Sequence, residues 1–459
     1  MQRLGRVPFA LVAVLSLAAG SGLSLAACSS SSTTPLSDAG TTPDTGTTPD
    51  GSTPEDGATC GKLPAAGPSQ LVAPRTDASE LGARAAMTLD RKGRPVFAYL
   101  DVRDANPVDL YVLTWDDCAG AWRAPHKIDS AIQNTDERTL SISVDPSDGR
   151  VGIGYHKIVQ LVGAPRVNAT VATFVAVSSD DGLNFASTRV SKHKCETDNS
   201  TEGDINNVSN VRIALDAGKT YVAYNQDYSA CGADRCYAGV IFGAGNAAGT
   251  GFALESISDG VNAEAGGHAI ARLGFGIGLA VDSDGKPAVA YHVDPFTGYN
   301  TTLAFWRPGS TTSAKITDSN SVQNDDGGVS LAFDGKKPRV VSRIQRGAIG
   351  AVAEYDLVFS ASEDGITWAA PVALPRPEAI AHSQQILVSG GKVIVAAGGP
   401  HVFRSSDLTT FTVSDLGLAQ GAIAVTGAVD KGGKLWLGIE GTAPVVPSAL
   451  GGVVLHREQ

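Results

Sequence analysis

The sequence predicts an all-β fold, a seven-bladed β-propeller whose ring is closed by an N-terminal strand. A hairpin phrase recurs seven times, and strand-like runs follow its copies. The strand that is missing from the last copy is matched by a spare strand before the first. Four-stranded sheets repeated around an axis form a propeller, which leaves only short strand edges exposed. A six-bladed ring, with one copy misread, is the alternative.

The repeated phrase is clearest in LAVDSDGKPAVAYH, residues 279–292, where two apolar runs flank a turn of Asp, Ser, Gly and Lys. Two β-branched or aromatic runs around a glycine-containing turn are typical of a β-hairpin. We expect each hairpin to supply the two inner strands of one blade. The other copies span residues 85–101, 141–157, 212–227, 330–345, 386–399 and 426–441.

The outer strands follow each hairpin. Fourth runs are present in six copies, and examples are residues 122–128 and 368–374. The seventh copy stops at Gln459 without a fourth run, whereas residues 69–73 form a spare run before the first hairpin. We therefore expect the N-terminal strand to complete the last blade. The third runs span residues 109–115, 173–179, 238–243, 302–307, 356–361, 401–406 and 452–456.

The first 27 residues are typical of a secretory signal peptide. Two arginines precede an apolar run from Val7 to Leu17, which is too short to cross a bilayer. The signal ends in Leu25-Ala26-Ala27-Cys28, which resembles the lipobox of bacterial lipoproteins. The resemblance implies that Cys28 is lipidated, and Ser29 in the next position implies an anchor in the outer membrane, periplasmic or surface-exposed.

Residues 28–59 consist mainly of Ser, Thr, Pro, Asp and Gly, so they have almost nothing apolar to bury. Such a composition predicts a disordered tether between the lipid and the propeller domain, residues 60–459. The formal net charge is −11, and no run of Lys and Arg is present, which argues against nucleic acid as a partner. We expect a monomer that meets the bacterial membrane through its anchor.

Three short segments lie between a third and a fourth strand. SSDDGLNF, residues 178–185, resembles the Asp box, S-x-D-x-G-x-[TN]-[WF], of sialidase-like (BNR) propellers. Residues 361–368 form a degenerate copy with Glu363 in the Asp place, and residues 405–411 form a shortened one. The resemblance implies a sialidase-like propeller in which Asp180 and Glu363 cap turns. The sequence has no F/Y-R-I-P segment, so the resemblance does not extend to sialidase catalysis.

The strand directions of a propeller divide these features between two faces. Hairpin turns and Asp-box turns share one face, which we call the Asp-turn face. The loops that leave second strands and enter the next blade share the other, which we call the loop face. Polar residues around a channel mouth are the usual ligand site of this architecture. The candidate ligand-binding residues are Arg84, Asp101, Arg103, Arg138, His156, Asn225, Asp227, His268, His292, Asp294 and Arg343.

We expect the loop face to bind a carbohydrate or protein ligand without catalysis. The alternative is a glycan-acting hydrolase or lyase that uses two of the carboxylates of Asp101, Asp227, Asp294 and Asp326 as acid and base. A purely structural scaffold would have no polar pocket.

No metal or other cofactor is predicted. DPSDG and DSDG only partly match calcium loops, because neither has the later ligands, so ordinary turns are favoured. His156 and His292 occupy equivalent places in two copies, where solvated histidines at the rim are favoured over a metal site.

Lipidation of Cys28 leaves five cysteines in an oxidising compartment. Cys60 and Cys118 both belong to the Asp-turn face, and we expect them to form a disulfide. Cys195 lies in a long loop of blade three on the loop face, where Cys231 and Cys236 lie as well. One bridge from Cys195 to either of them would leave one thiol free.

Overall fold

A computed structural model shows an all-β chain, and it describes the following residues: 60–74, 85–101, 108–132, 140–162, 168–191, 208–226, 229–231, 234–236, 239–257, 271–295, 301–319, 328–346, 354–375, 384–398, 401–416, 422–441 and 452–459. The predicted signal peptide, Cys28 and the predicted tether lie outside these residues. In the part of the chain that is described, no helix is long and apolar enough to span a membrane.

The described strands form the first three blades as follows. A first strand, β1 (Gly67–Pro74), precedes blade one. Blade one contains β2 (Ala85–Leu89), β3 (Pro95–Asp101), β4 (Val108–Asp116), the short β5 (Ala121–Trp122) and β6 (His126–Ile132). Blade two contains β7 (Leu140–Val144), β8 (Val151–Val162), β9 (Asn168–Ser178) and β10 (Ala186–Arg189). Blade three contains β11 (Val208–Asp216), β12 (Lys219–Gln226), β15 (Val240–Asn246) and β16 (Ala253–Ile257), with a separate hairpin of β13 (Ser229–Cys231) and β14 (Asp234–Cys236).

The remaining blades repeat the order. Blade four contains β17 (Ala271–Val281), β18 (Pro287–Pro295), β19 (Thr301–Trp306) and β20 (Ala314–Ser319). Blade five contains β21 (Val329–Asp334), β22 (Lys337–Arg346), β23 (Glu354–Ala361) and β24 (Val372–Ala373). Blade six contains β25 (Gln384–Ser389), β26 (Lys392–Ala397), β27 (His401–Ser405) and β28 (Thr412–Asp415). Blade seven contains β29 (Ala422–Val429), β30 (Leu435–Gly441) and β31 (Gly452–Arg457).

The N-terminal strand completes blade seven. Strand β1 pairs antiparallel with β31, with Gly67 opposite Arg457 and Pro74 opposite Gly452. The predicted seven-bladed ring and its closure by an N-terminal strand are therefore confirmed, and the six-bladed alternative is wrong. Closure covers the outer edge of β31, which would otherwise expose unpaired backbone groups.

Blades pack on one another through both faces of each sheet, because side chains alternate along a strand. Between blades seven and one, Phe97 and Leu113 meet Trp436, Val453 and Leu455 in one apolar cluster. A tyrosine recurs near the loop-face end of the second strand in blades one to four, at positions 99, 155, 224 and 291. Register places Ser342 at the same position in blade five.

The tyrosine position faces the preceding blade. Tyr155 of blade two donates a hydrogen bond to Asp129 Oδ2 of blade one, at 2.7 Å, and Lys157 Nζ lies 2.5 Å from the other oxygen of Asp129. A single backbone pair, Ile132 with Lys157, also joins the two blades. The residue after the tyrosine points to the opposite side, toward the following blade.

Candidate functional site

The innermost strands of all seven blades line a central channel of about 200 Å³. The lining includes one residue at the equivalent position of each innermost strand. Most of these residues are small or uncharged, and Arg212 is the one cation among the described lining residues. The seven residues, from blade one to blade seven, are Ala86, Ser141, Arg212, Gly278, Ser330, Gln385 and Thr426.

Several of these side chains join one inner strand to the next. Ser141 Oγ accepts from the Ile213 backbone N–H at 3.2 Å, and Ser330 Oγ accepts from Ile386 N–H at 3.1 Å. Thr426 Oγ1 accepts from Met87 N–H at 3.1 Å, which links blade seven to blade one. The inner edge of a blade has no further strand to pair with, so these bonds satisfy backbone groups that would otherwise face the channel.

Two larger polar side chains of the channel form hydrogen bonds within the protein. The Gln385 side chain bonds both backbone groups of Gly427 in the next blade. The guanidinium of Arg212 donates to the Val211 carbonyl at 2.9 Å. Among the lining residues that the structure describes, there is no Asp or Glu.

Four predicted ligand residues are buried, with exposed fractions of 0 to 4%. His156 Nδ1 lies 3.3 Å from Thr173 Oγ1 within blade two. The interpretation of His156 and His292 as solvated rim residues is wrong, because their position on the second strand faces the following blade rather than solvent. The four residues are His156, Asn225, His292 and Arg343.

The other predicted ligand residues divide into two groups. Asp101 is half-buried at the loop-face end of β3. Asp294 lies in β18 opposite Arg272, and its side chain is outside the described residues. Four carboxylates were proposed for the enzymatic alternative, and Asp101 is the one whose side chain is described. The residues that lie entirely outside the described part are Arg84, Arg103, Arg138, Asp227, His268 and Asp326.

A mixed aromatic and charged surface surrounds Asp101, and we call it the blade-one patch: Tyr99, Asp101, Asp109, Tyr111 and Lys127. Asp101 is directly opposite Asp109, and Tyr99 is directly opposite Tyr111. The two tyrosine rings stack with centroids 5.7 Å apart and planes inclined by 20°. Residues opposite each other and two apart along a strand share one side of the sheet, so all four side chains lie on the same side.

Lys127 adds a positive charge to the patch. It is opposite Tyr111 on β6, and its Nζ lies 2.7 Å from Asp109 Oδ2. The hydrogen bond to Asp109 raises the pKa of Lys127. The Asp109 and Lys127 side chains are 28% and 47% exposed, so the charged part of the patch is accessible to a ligand.

Asp101 was predicted as a ligand residue from the sequence, whereas Tyr99, Asp109, Tyr111 and Lys127 were not. A sequence pattern could have indicated these residues, because Tyr99-Leu100-Asp101 and Asp109-Leu110-Tyr111 have the same residues in reverse order on either side of the β3–β4 connection. Antiparallel pairing brings mirror-image residues face to face when the register is centred between them. The register itself was not readable from the sequence.

The three turns that resemble Asp boxes share one hydrogen-bond arrangement. Ser178 Oγ donates to Asp180 Oδ1 at 2.6 Å, and this oxygen accepts the backbone N–H groups of Leu183 and Asn184. In blade five the capping carboxylate is Asp364, which accepts from Ile366 and Thr367 N–H at 2.8 Å. Asp407 accepts from Thr409 and Thr410 N–H in blade six.

Glu363 does not cap its turn, so its placement in the Asp position is wrong by one residue. Its carboxylate pairs instead with Lys337 Nζ at 2.5 Å and with Arg339 Nη2 at 3.2 Å. The turn is one residue shorter than the full motif, which moves the capping role from Glu363 to Asp364. The carboxylates of the three turns thus serve the backbone, as expected for Asp180.

The hairpin turn of blade one lies beside a turn of blade two that resembles an Asp box, as the contacts of Arg94 show. Its guanidinium contacts Asp90 in the hairpin turn of blade one, Asp117 in the next turn of that blade, and Asp181 in the turn of blade two. The distances are 2.6, 3.1 and 3.4 Å. One side chain can reach all three only if the turns are neighbours.

The turns that partly match calcium loops use their carboxylates internally. Asp282 Oδ1 accepts from Asp284 and Lys286 N–H, and its other oxygen pairs with Arg307 at 2.9 Å. Asp145 caps Ser147 and pairs with Arg150 at 2.5 Å. These contacts are those of ordinary hairpin turns.

One cluster of possible metal ligands occurs in the described part of the chain: Asp116, Asp117 and Cys118. The Cys118 sulfur is bonded to Cys60, so it is not a thiolate ligand. Arg123 pairs with Asp116, and Arg94 pairs with Asp117. The cluster is thus a set of structural contacts on the Asp-turn face.

The disulfide between Cys60 and Cys118 is the pair that the sequence predicts. Cys231 and Cys236 lie on the paired strands β13 and β14, where Cys231 is opposite Asp234 and Cys236 is opposite Ser229. Their side chains and all of Cys195 lie outside the described residues. The predicted bridge from Cys195 therefore stays a prediction.

No protein-family profile matches the chain, and no curated protein sequence matches it. Solved structures do match. An α-L-arabinanase of Penicillium chrysogenum, complexed with arabinobiose, is 11% identical over 86% of this chain and 99% of its own, with a TM-score of 0.50. A mutant α-L-arabinofuranosidase of Fusarium graminearum, complexed with an iminosugar inhibitor, is 10% identical over 85% and 97%, with a TM-score of 0.50.

A sialidase of Trypanosoma rangeli in complex with sialic acid is 12% identical over 86% of this chain and 59% of its own, with a TM-score of 0.43. At such identities the first two likenesses show the propeller fold alone, because one fold supports many functions. Function must therefore be argued from the described side chains.

Proposed function

We propose that the protein is a lipid-anchored, sialidase-like propeller that binds carbohydrate at the cell surface through the blade-one patch, without cleaving it. One observation carries the proposal: two stacked, half-buried tyrosines lie beside two facing carboxylates and a lysine, and the Asp109 and Lys127 side chains are exposed to solvent. Sugars have apolar C–H faces, which pack on aromatic rings, and hydroxyl edges, which need hydrogen-bond partners. The patch offers both kinds of contact.

The polar members of the patch suit hydroxyl recognition. The carboxylates of Asp101 and Asp109 accept hydrogen bonds, whereas Lys127 donates them. Bonds to charged groups are stronger than those between neutral groups, which favours binding of a polar ligand in water.

The absence of carboxylates from the described lining of the channel supports binding over cleavage. Glycosidases place two carboxyl groups roughly 5 to 10 Å apart around the scissile bond. The channel supplies none from its described residues. Its polar side chains are engaged in bonds between blades.

A glycan-acting hydrolase or lyase is the second candidate, and one observation favours it. Asp101 and Asp109 face each other across β3 and β4, so their Cβ atoms lie about 5 Å apart. Such a pair could act as acid and base. Against it, Asp109 is held by Lys127 on an open surface.

Residues 60–459 should be screened against immobilised glycans, and the affinity of each ligand found should then be measured by calorimetry. Tyr111→Ala removes half of the stacked pair, and we expect it to weaken binding at least about tenfold, the loss of one good contact. Val413→Ala is the control, because Val413 is exposed on the outer strand of blade six. Undiminished binding by the Tyr111 variant, or no glycan ligand at all, would contradict the proposal.

The same samples distinguish binding from cleavage. The ligand should be recovered intact after prolonged incubation, as judged by mass spectrometry. Cleavage by the parent protein that disappears in both Asp101→Asn and Asp109→Asn would establish the enzymatic alternative instead.

A further inference from the structure

The blade-one patch has more negative than positive groups. Asp101 and Asp109 place two carboxylates on one side of the sheet, and Lys127 adds one ammonium group on the same side. The Lys127 Nζ lies 2.7 Å from Asp109 Oδ2, so that carboxylate largely offsets its charge. The five residues of the patch therefore carry one more negative charge than positive charges.

A bulge in β6 separates Lys127 from the next charged residue of that strand. Tyr111 is opposite Lys127, whereas Leu110 is opposite Asp129, so β6 has one extra residue between the two pairs. Because side chains alternate along β4, Lys127 and Asp129 lie on opposite sides of the sheet. Asp129 pairs there with Lys157 Nζ of blade two. This second ion pair therefore lies apart from the patch.

The aromatic members of the patch favour the same sign of ligand charge. Tyr99 and Tyr111 are stacked, with their ring centroids 5.7 Å apart. The faces of aromatic rings are negative, so they attract cations. An ammonium group at this pair would be attracted by the rings and by the carboxylates beside them. A carboxylate at the same place would be repelled by both, and such like-charge contacts are costly.

The charge of the whole protein acts in the same direction. The chain has a formal net charge of −11. An anionic glycan must approach against the resulting field, whereas a cationic glycan is attracted by it.

We infer that the blade-one patch selects glycans that carry amino groups, such as glucosamine oligomers, over glycans that carry carboxylates. This inference rests on the glycan binding of the proposed function and names the class of glycan. The amine of the sugar donates charge-assisted hydrogen bonds to the carboxylates, while the C–H face of the sugar ring packs on a tyrosine.

Three tetrasaccharides of different charge test the inference: the tetramers of glucosamine, N-acetylglucosamine and galacturonate. The first two share one backbone and differ by the acetyl group, which removes the charge of the amine. Calorimetry of the full-length protein, in mildly acidic buffer where the glucosamine amines are protonated, measures each affinity. We expect the glucosamine tetramer to bind about tenfold more tightly than its N-acetylated form, as for one hydrogen bond to a charged group. The galacturonate tetramer should bind most weakly, and high salt should reduce these differences.

Three variants of the patch link the selectivity to its charges. Asp101→Asn and Asp109→Asn each remove a negative charge, so each should lower the ratio of glucosamine to N-acetylglucosamine affinity by about threefold. Lys127→Met removes the positive charge and should raise this ratio. A merely structural effect would not move the ratio in opposite directions. Glu255→Gln, on the exposed outer strand of blade three, is the matched control for net charge and should leave the ratio unchanged.

Galacturonate binding as tight as glucosamine binding would overturn the inferred selectivity. A ratio that none of the three patch variants changes would overturn it as well. In both cases, weaker glycan binding by Tyr111→Ala would still support the proposed function. Failure of all three tetramers to bind would also overturn the inference, and the proposed function fails with it if the glycan screen finds no ligand either.

Discussion

His292 Nε2 of blade four lies 2.9 Å from Ser342 Oγ of blade five, and both side chains are buried. Blades one to four have tyrosine at the position of Ser342, so blade five replaces a large ring with a hydroxyl that meets the imidazole. The contact joins two neighbouring blades through their polar groups. A buried polar atom without its partner is costly, which makes this bond a test of how tightly adjacent blades are held.

We predict that Ser342→Ala lowers the free energy of unfolding by about 1 to 3 kcal/mol, because it removes a buried hydrogen bond to His292. Chemical denaturation of residues 60–459 measures the change. Ser406→Ala is the matched control, since Ser406 is exposed. Equal stability of the two variants would show that the contact contributes nothing.

The hydrogen bonds between the innermost strands of neighbouring blades can be tested where blade seven meets blade one. Thr426→Val preserves shape but removes the acceptor of the Met87 N–H, so we expect a loss of about 1 to 2 kcal/mol in the free energy of unfolding. Thr312→Val, at an exposed position, is the control. Hydrogen exchange of the Met87 amide should also become faster. An unchanged rate would contradict the view that the Thr426 side chain protects this backbone N–H group.

The Asp180 turn predicts a loss of stability in acid. Burial raises the pKa of Asp180, but hydrogen bonds from Ser178 and Asn184 outweigh it and lower the pKa to about 2. A carboxylate with a depressed pKa stabilises the fold above its ordinary pKa, and that contribution is lost as the pH falls toward 2.

The melting temperature of Asp180→Asn should therefore fall less between pH 5 and pH 2 than the melting temperature of the parent protein. Thermal melts across this range measure it. Glu255→Gln, on an exposed outer strand, should leave the acid profile as it was. If the melting temperature of Asp180→Asn depended on pH as that of the parent protein does, the hydrogen bonds of this turn would not depend on the charge of Asp180.

The disulfide should stabilise the whole ring. Cys60 and Cys118 are 58 residues apart, and the chain-entropy model gives about 4 kcal/mol for a loop of this size. Replacing both by serine should lower the melting temperature, whereas Cys195→Ser should barely change it, because Cys195 is predicted to lie in a surface loop. Peptide mapping that linked Cys60 to Cys195, Cys231 or Cys236 would contradict the structure.

Closure of the ring by β1 predicts that two truncations differ strongly in melting temperature. Deleting residues 60–74 removes β1 together with Cys60 and its disulfide, and it uncovers the edge of β31, where Val453 and Leu455 are buried. Deleting residues 29–58 removes only the predicted tether. We expect the first truncation alone to lower the melting temperature substantially. Equal melting temperatures would show that β1 does not stabilise blade seven.

The sequence predicted the blades well because each blade is encoded locally. The turn after β17, with its Asp, Gly and Lys, and the apolar run of β18 are encoded in short stretches of chain. The spare run before the first hairpin and the missing run of the last copy could also be read directly from the sequence. The β13–β14 hairpin was not predicted, because its strands have three residues each and no apolar alternation.

The candidate site was predicted only in part, and His156 and Asp101 show why. Both occur near the ends of second strands, and both were predicted as ligand residues for that reason. His156 faces the next blade and is buried, whereas Asp101 is half-buried beside Asp109. Which side of a sheet is covered depends on the neighbouring blade, and no local pattern contains that information.

The seven repeats and the closing strand could be predicted from the sequence, because repeats, turns and composition are encoded in short stretches of chain, and the pairing of Cys60 with Cys118 followed from the predicted blade order. The contacts of Ser342 with His292 and of Tyr99 with Tyr111 became known from the tertiary structure alone. Those contacts depend on the strand register and on the packing of one blade against another. Packing is cooperative and non-local, so it fixes which polar side chains are buried and which remain open to a ligand.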